Sequence, residues 1–205
     1  MPRPLSRRFF ERSAAEVARD LLGAVLVRRI AAPNGPALLR ARLVELEAYV
    51  GPHDLACHAA KGRTPRTEVM FGPGGHAYVY LIYGMHDMLN IVTGKTGDAQ
   101  AVLVRAAEPL DGWTENLSGP GRLARAMHIG RGFNGIDMTR TEDGLWVQPG
   151  HRKSPPHAIG AAPRVGVDYA GPWAHQHLRF FETANPAVSK PWPWSKLSRR
   201  TPASG

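Results

Sequence analysis

The chain has 205 residues, of which 43% are hydrophobic; this suffices for one globular domain with a sizeable core and excludes global disorder. Its formal net charge is +9, and arginine supplies most of the positive charge. Because guanidinium groups bind phosphates bidentately, this charge favours a polyanionic partner, nucleic acid first, although a GC-rich genome would also raise the arginine content.

The cysteine content and the apolar runs restrict where the protein works. Cys57 is the single cysteine, so no intrachain disulfide can form, which fits a reducing compartment. No apolar run approaches the ~20 residues that a membrane-spanning helix needs, and no signal peptide is visible. We therefore expect a soluble, cytoplasmic protein without membrane contact, and nothing in the sequence requires more than a monomer.

The first quarter of the chain predicts a helix followed by a β-hairpin. Ser13 and Glu16 have the spacing of a capping box, and the helix that they begin is expected to end at Leu22. Two strands and a turn follow, and the strands are predicted to pair antiparallel. These elements are the strands at residues 24–30 and 37–50 and the turn at residues 33–36.

The rest of the chain predicts short strands joined by tight turns, with a helix and a few helical turns. The expected strands are residues 76–83, 88–93, 101–106, 145–147, 165–167 and 178–181; the helix is residues 121–128, and short helical turns lie near residues 55–60 and 66–70. This pattern indicates a single α+β domain with a mostly antiparallel, curved β-sheet, a protruding β-hairpin and a few surrounding helices. The basic, proline-rich residues 190–205 are expected to form a flexible tail.

Carboxylates and aromatic rings are concentrated between residues 43 and 90. Side chains alternate between the two faces of a strand, so Leu43, Glu45, Glu47 and Tyr49 are expected to share one face. A carboxylate at a strand end beside an aromatic ring is suited to act as a general base on water. Two glutamates on a solvated edge would give the same pattern, and alternation does not choose between Glu45 and Glu47.

Tyrosines on the second hairpin suggest a pocket for a flat ligand. Tyr78, Tyr80 and Ile82 are predicted to share one strand face, and Tyr83 directly precedes the turn at residues 84–87. A large ring at an exposed tip is suited to wedge between DNA base steps. Strand propensity alone would also explain tyrosines that only cover a sheet face.

Arg105 lies near the end of an apolar strand, where a buried charge requires a partner. Glu45 and Glu47 are both candidates, and a purely structural ion pair is the alternative to a catalytic role. The histidines of this region do not have the spacing of a zinc signature, so we predict no metal site. They are His53, His58, His76 and His86.

Eleven short sequence motifs are distributed in a characteristic order over most of the chain. They are ELEAY (45–49), CHA (57–59), GRTPR (62–66), MFG (70–72), YVYLIYGM (78–85), LN (89–90), VLVRAAEP (102–109), SGPGRL (118–123), RVGV (164–167), LRF (178–180) and NPAVS (185–189). Their order and spacing resemble the alkyladenine (3-methyladenine) DNA glycosylase family, from about residue 9 to residue 189.

The resemblance implies an enzyme that flips an alkylated or deaminated purine out of duplex DNA and hydrolyses its N-glycosidic bond without a cofactor. Glu47 corresponds to the general base, and Arg105 to the arginine that helps to hold the attacking water and the carboxylate. The resemblance thus favours Glu47 over Glu45. Because no lysine is placed to form a Schiff base, a monofunctional glycosylase that leaves an abasic site is expected.

By the same resemblance, Tyr49 and Tyr80 sandwich the flipped base, His58 lies beside them, and Asn90 crowds the amino group of ordinary guanine. Such walls are expected to accept 3-methyladenine, 7-methylguanine, hypoxanthine or etheno adducts, and the sequence does not rank them. The remaining correspondences lie at the hairpin tip, where Tyr83 fills the gap in the base stack and Met85 lies next to it.

The hairpin tip departs from the family pattern. It continues as His86-Asp87-Met88 where relatives commonly carry aromatic or apolar residues and a cysteine. Asp87 beside a phosphate is unfavourable unless an arginine pairs with it, whereas His86 can contact phosphate. Two other function classes compete with a repair hydrolase: a nucleic-acid-binding module without catalysis, and a small-molecule hydrolase with an incidentally basic surface.

Overall fold

The computed structural model describes residues 3–33, 35–150 and 158–190, and within them eight antiparallel strands form one curved sheet. The strands are β1 (Val25–Ile30), β2 (Ala37–Tyr49), β3 (Ala77–Ile82), β4 (His86–Thr93), β5 (Gln100–Pro109), β6 (Leu145–Gln148), β7 (Ile159–Ala162) and β8 (Arg179–Glu182). The α-helices are α1 (Arg7–Phe10), α2 (Ala14–Asp20) and α3 (Pro120–Ala126); 3₁₀ turns lie at His58–Lys61, Glu68–Phe71, Arg131–Phe133 and Asp168–His175. The predicted α+β class with a mostly antiparallel, curved sheet is confirmed.

The long strand β2 is the hub of the sheet. The main strand order is β3-β4-β5-β2-β1-β6, and β8 pairs with both β2 and β7. The first half of β2 pairs with β1, and β5 joins on its other side only from Ala41 onward, whereas Glu45 and Glu47 lie where β2 pairs with β5 and β8. Both carboxylates are therefore surrounded by strands, and both residues have 0% exposure. The solvated-edge interpretation of these glutamates is wrong.

Two interruptions of the β2–β5 ladder set the direction of the side chains that follow. Within this ladder, Val44 of β2 and Arg105 of β5 are not paired with a residue of the opposite strand. The pairs on either side are Leu43 with Ala107, Glu45 with Ala106 and Leu46 with Val104. Leu43 packs in the main core with Leu46, so the prediction that it shares a face with Glu45 was wrong. The extra residue shifts the alternation by one position, as β-bulges do.

The helices cover the opposite face of the sheet from the glutamates. Ser13 and Glu16 form the predicted capping box at the start of α2, which packs against β2 and β5. Helix α3 begins with Pro120 at its first turn and packs against β4 and β5. The buried cluster between helices and sheet includes Phe10 and Leu46. This packed layer gives the sheet a rigid base from which the glutamates project.

Several predicted boundaries differ from the structure. Residues 165–167 are not a strand but part of a loop. The Val165 amide donates to the Glu47 side chain and not to a neighbouring strand. Strand β7 was missed, since Gly160 and the alanines after it carry little strand propensity. The second hairpin turns at Tyr83, and β4 already begins at His86. Residues 191–205, most of the predicted tail, lie outside the described residues.

No helix in the described parts of the chain is long and apolar enough to cross a membrane.

Candidate active site

A cavity of about 350 Å³ opens beside the C-terminal end of β2, between the β3–β4 hairpin, β5 and residues 165–169. Its volume is in the range of small-molecule sites. All five tyrosines of the chain line it, Tyr169 included. The polar side chains among the other wall residues are His58, Asn90 and Arg105. A cavity with this many aromatic walls is suited to a flat, partly polar ring system.

The face of β3 that alternation predicted forms one aromatic wall. Tyr78, Tyr80 and Ile82 all line the cavity. The ring centroids of Tyr78 and Tyr80 are 5.4 Å apart, and His58 meets Tyr80 edge to face at 4.5 Å. Outside this wall, the Arg66 guanidinium carbon lies 5.3 Å from the Tyr80 ring centroid. The contacts between the rings fix the orientation of the wall before a ligand arrives.

His58 is neutral at physiological pH. Its Nδ1 lies 3.0 Å from the Tyr78 hydroxyl. Burial, followed by the positive charges of Arg66 and Lys61, lowers the pKa of His58 from 6.5 to about 4. A neutral imidazole has one donor and one acceptor nitrogen, so His58 offers the cavity hydrogen bonding without an added charge.

Asn90 is held rigidly at the base of the cavity. Its Nδ2 donates to the backbone oxygens of Tyr78 at 3.1 Å and Met88 at 3.3 Å. Two carbonyl acceptors identify the nitrogen and leave Oδ1 as the polar atom that the side chain can present to the cavity. The buried amide therefore cannot rotate without breaking hydrogen bonds.

Glu47 lies directly behind the cavity wall. Its Oε2 accepts a hydrogen bond from the Tyr49 hydroxyl at 3.0 Å, and its Oε1 accepts one from the Val165 amide at 2.7 Å. Arg105 Nη1 lies 3.4 Å from the same Oε1. Glu47 does not line the cavity, but these three partners do. Glu47 is thus linked to the cavity wall through its own hydrogen-bond and ion-pair partners.

Burial governs the charges of the groups around Glu47. Burial and the adjacent Glu47 carboxylate raise the pKa of Tyr49 well above its usual value, which keeps the phenol protonated as a donor. Burial disfavours the charged form of Arg105, but the Glu47 and Glu45 carboxylates outweigh it and raise the pKa of the guanidinium. The site thus holds a permanent cation and a neutral donor against one carboxylate.

The loop that carries Val165 is fastened by a buried ion pair. Arg164 Nη1 and Nη2 donate to Asp54 at 2.5 and 2.8 Å, and both side chains have 0% exposure. Arg164 also donates to the Ala48 oxygen at 2.9 Å and lies 4.7 Å from the Tyr49 ring centroid. The same guanidinium therefore positions both the Val165 amide and the Tyr49 ring.

The tip of the β3–β4 hairpin is exposed and conformationally strained. Tyr83 is 83% exposed and has φ 51°, and the following Gly84 has φ 69°. The Met85 amide donates to the Ile82 oxygen at 3.1 Å, which closes the turn. Left-handed backbone is uncommon for a bulky aromatic residue, and such outliers accumulate at functional sites. Met85 is 72% exposed and does not line the cavity.

Asp87, the residue that raised doubt about DNA contact, is not in the turn. It pairs with Leu81 in the hairpin ladder, and its carboxylate lies next to Gly130. His86 packs against Gly121 at the start of α3, beside a groove that Arg122 and Arg125 also line. The cationic groove adjoins the cavity, because Met88, Arg105 and Pro120 line both.

The structure brings together most of the residues that the sequence singled out. Around the cavity it places Glu47, Arg105, Tyr49, His58, Tyr80, Asn90 and Tyr83; Met85 lies apart at the tip. The sequence analysis did not predict the buried ion pair between Asp54 and Arg164. Its signals in the sequence were an acidic residue shortly after one strand and an arginine before a short apolar run. Among the described residues, no three His, Cys, Asp or Glu side chains are grouped to hold a metal ion.

Comparison with known proteins gives a consistent result over nearly the whole chain. The family profile described as "Methylpurine-DNA glycosylase (MPG)" matches residues 8–186. A Myxococcus xanthus protein named "Putative 3-methyladenine DNA glycosylase" is 49% identical over 201 residues, 97% of this chain and 98% of its own length. Proteins of the same name from Methanocella arvoryzae and Legionella pneumophila (strain Corby) are 48% and 47% identical, covering 91% and 92% of this chain and 96% and 99% of their own lengths.

Proposed function

This chain belongs to the methylpurine-DNA glycosylase family, the DNA glycosylases of base-excision repair, and on that premise we propose that it flips a damaged purine out of duplex DNA into the tyrosine-lined cavity and hydrolyses the N-glycosidic bond with a Glu47-activated water. The observation that carries this proposal is the buried Glu47 carboxylate, held by Tyr49, Val165 and Arg105 directly behind that cavity.

The cavity walls suit an extrahelical purine. Stacking a base on an aromatic side chain is worth about 1–3 kcal/mol, and a cationic alkylated base gains further from the ring faces of Tyr49 and Tyr80. Asn90, fixed by two backbone carbonyls, crowds the amino group of a guanine, a cost that the cationic charge of an alkylated guanine offsets and ordinary guanine does not. The protein thus binds the damaged base by stacking and rejects ordinary guanine by the rigid position of Asn90.

The reaction needs a positioned water and a base. Glu47 takes a proton from a water at the inner end of the cavity while the water oxygen bonds to C1′ of the deoxyribose. The electrons of the C1′–N bond leave with the purine, which an alkylated, cationic base accepts readily. Arg105 orients the carboxylate and the water, and Glu47 also stabilises the positive charge that develops on the sugar. The products are the free base and an abasic site.

The hairpin tip and the groove beside it suit a duplex. Tyr83 enters the stack in place of the extruded nucleotide, with Met85 next to it, and offsets part of the few kcal/mol that flipping costs. Arg122 and Arg125 supply positive charge for the phosphates beside the flipped nucleotide, and His86 lies in the same groove, where its ring can contact a phosphate. The Asp87 carboxylate lies against Gly130, away from the tip that Tyr83 and Met85 form.

The proposal is tested with a labelled duplex that contains one hypoxanthine or one alkylated purine. Alkali converts each abasic site into a strand break, so base release is measured directly. We expect wild-type protein to cleave and Glu47→Gln to lose at least about 100-fold in rate, since general-base catalysis contributes 10²–10⁴-fold. Glu142→Gln, at an exposed carboxylate, serves as the matched control.

Two results would contradict the proposal. Absence of strand breaks with wild-type protein on every tested lesion would remove the glycosylase activity itself. Wild-type rates in Glu47→Gln would leave the activity standing and show that another group is the base.

A further inference from the structure

Glu45 lies two residues before the proposed general base and makes an unusually complete set of contacts. Its Oε1 accepts from Arg105 Nε at 3.0 Å, Arg179 Nε at 2.6 Å and Ser189 Oγ at 3.0 Å. Its Oε2 accepts from the Ser189 amide at 2.7 Å. All four residues are at most 6% exposed. With its oxygens occupied in this way, Glu45 has little capacity left to take a proton from water.

The contacts of Arg105 show what Glu45 holds in place. Arg105 Nε binds Glu45, and its Nη2 donates to Ser189 Oγ at 3.2 Å. The third nitrogen, Nη1, lies 3.4 Å from Glu47 Oε1. Because the guanidinium is planar, two fixed nitrogens determine where the third one points. Glu45 and Ser189 therefore aim Nη1 at Glu47.

The backbone makes this arrangement possible. Arg105 is the residue that bulges out of the β5 side of the β2–β5 ladder, and its own carbonyl accepts from the Gly119 amide. Ser189 is presented by a turn in which Asn185 Oδ1 accepts from the Ala187 amide at 2.9 Å. A bulge re-aims a side chain, and a buried turn then supplies its second contact.

The charges of the cluster are balanced. Two carboxylates, Glu45 and Glu47, face two guanidinium groups, Arg105 and Arg179. Tyr49 from β2 and the Val165 amide from the loop donate to Glu47, and the Glu47 charge also acts on Tyr80 of β3 and on Arg164. Replacing Glu45 by a neutral residue therefore leaves one uncompensated positive charge in the cluster beside Glu47.

We propose that Glu45, with Arg179 and Ser189, is a positioning residue for the reaction: it fixes the Arg105 guanidinium against Glu47 and balances its charge. This inference rests on the proposed function, because it assigns a role within the same site. It divides the two glutamates by task. Glu47 contacts the water, and Glu45 acts through Arg105 without contacting water or substrate.

The experiment compares Glu45→Gln, Glu45→Asp and Ser189→Ala with wild type in single-turnover base excision from pH 5 to 9. Binding to a duplex with a tetrahydrofuran abasic analogue is measured in parallel. For Glu45→Gln we expect a rate loss of about 10- to 100-fold, the size that removal of a residue orienting a metal ligand has in metal sites. The acid limb of its pH–rate profile is expected to move to lower pH, while the Kd for the analogue changes less than about twofold.

The other two variants separate charge from position. Glu45→Asp keeps the charge, so its acid limb should stay at the wild-type pH even though its rate falls. Ser189→Ala removes one contact to Arg105, one contact to Glu45 and no charge, so it should slow excision without moving the limb. If Glu45→Gln does not fold, Glu45→Asp and Ser189→Ala still test the inference, because unchanged excision rates in both variants would overturn it.

A purely structural Glu45 would behave differently. Loss of activity in Glu45→Gln with an unmoved acid limb, matched by loss of duplex binding and a lower Tm, would overturn the positioning role. So would a wild-type rate and profile. In either case wild-type protein would still be active and Glu47→Gln inactive, so the proposed function would not be contradicted.

Discussion

The Val165 amide donates a 2.7 Å hydrogen bond to Glu47 Oε1 across 118 positions of sequence. A backbone donor cannot change identity or rotamer, so its direction depends entirely on the path of the loop. The buried Arg164–Asp54 pair sets that path. The geometry of the proposed base is thus maintained by residues that do not touch the base themselves.

Asp54→Asn tests this dependence. Breaking a buried ion pair leaves an uncompensated charge, so we expect the free energy of unfolding to fall by about 3–5 kcal/mol in urea denaturation. The excision rate should fall as well, because the Val165 amide loses its support.

The matched control is Glu68→Gln, which breaks the exposed pair between Arg63 and Glu68. No measurable change in stability or rate is expected there, since exposed pairs contribute little. Equal effects of the two substitutions would contradict the structural role of Asp54.

Replacing Tyr83 is expected to stabilise the protein and to lower its activity. Its left-handed backbone costs about 1 kcal/mol for a bulky residue, and an 83% exposed side chain has little packing to lose. Tyr83→Asn should therefore raise the free energy of unfolding by about 1 kcal/mol. Loss of the stacking ring should lower the excision rate by about tenfold.

Ala184→Asn is the control for the backbone effect. Ala184 is an exposed residue with φ 60°, and it does not line the cavity. It should gain stability in the same way and excise at the wild-type rate. If Tyr83→Asn retains full activity, Tyr83 is not the wedge.

His58 predicts a pH dependence of stability. Its pKa of about 4 lies below the ordinary 6.5, so between these values the unfolded chain binds a proton that the folded chain does not. The His58 contribution to stability is therefore present above about pH 6.5 and is lost as the pH falls toward 4.

The measurement is the free energy of unfolding at pH 4 to 7 for wild type and His58→Gln. Subtracting the variant removes the contributions of the other titrating groups. The difference should shift in favour of the variant as the pH falls below 6.5. Parallel curves would mean that His58 titrates normally in the folded protein.

Much of the site was predictable because it follows local rules. Alternation placed Tyr78, Tyr80 and Ile82 on the cavity wall, and the capping box at Ser13 began the helix as expected. The face of Leu43 was not predictable, because a bulge depends on how β2 meets β5 and leaves no mark in periodicity. Residues 165–167 were mistaken for a strand because a short apolar run looks the same whether or not it finds a partner.

The class of fold, the family and the residues that gather around the cavity were predictable, since these follow from patterning and from an ordered series of motifs. The difference between Glu45 and Glu47 was not predictable, because it arises from contacts between distant parts of the chain. Both are buried glutamates on one strand face, next to the same arginine. The Glu45 carboxylate contacts Arg179 and Ser189, and folding alone brings these two residues near it. They occupy the carboxylate oxygens that Glu45 would need in order to act as a general base.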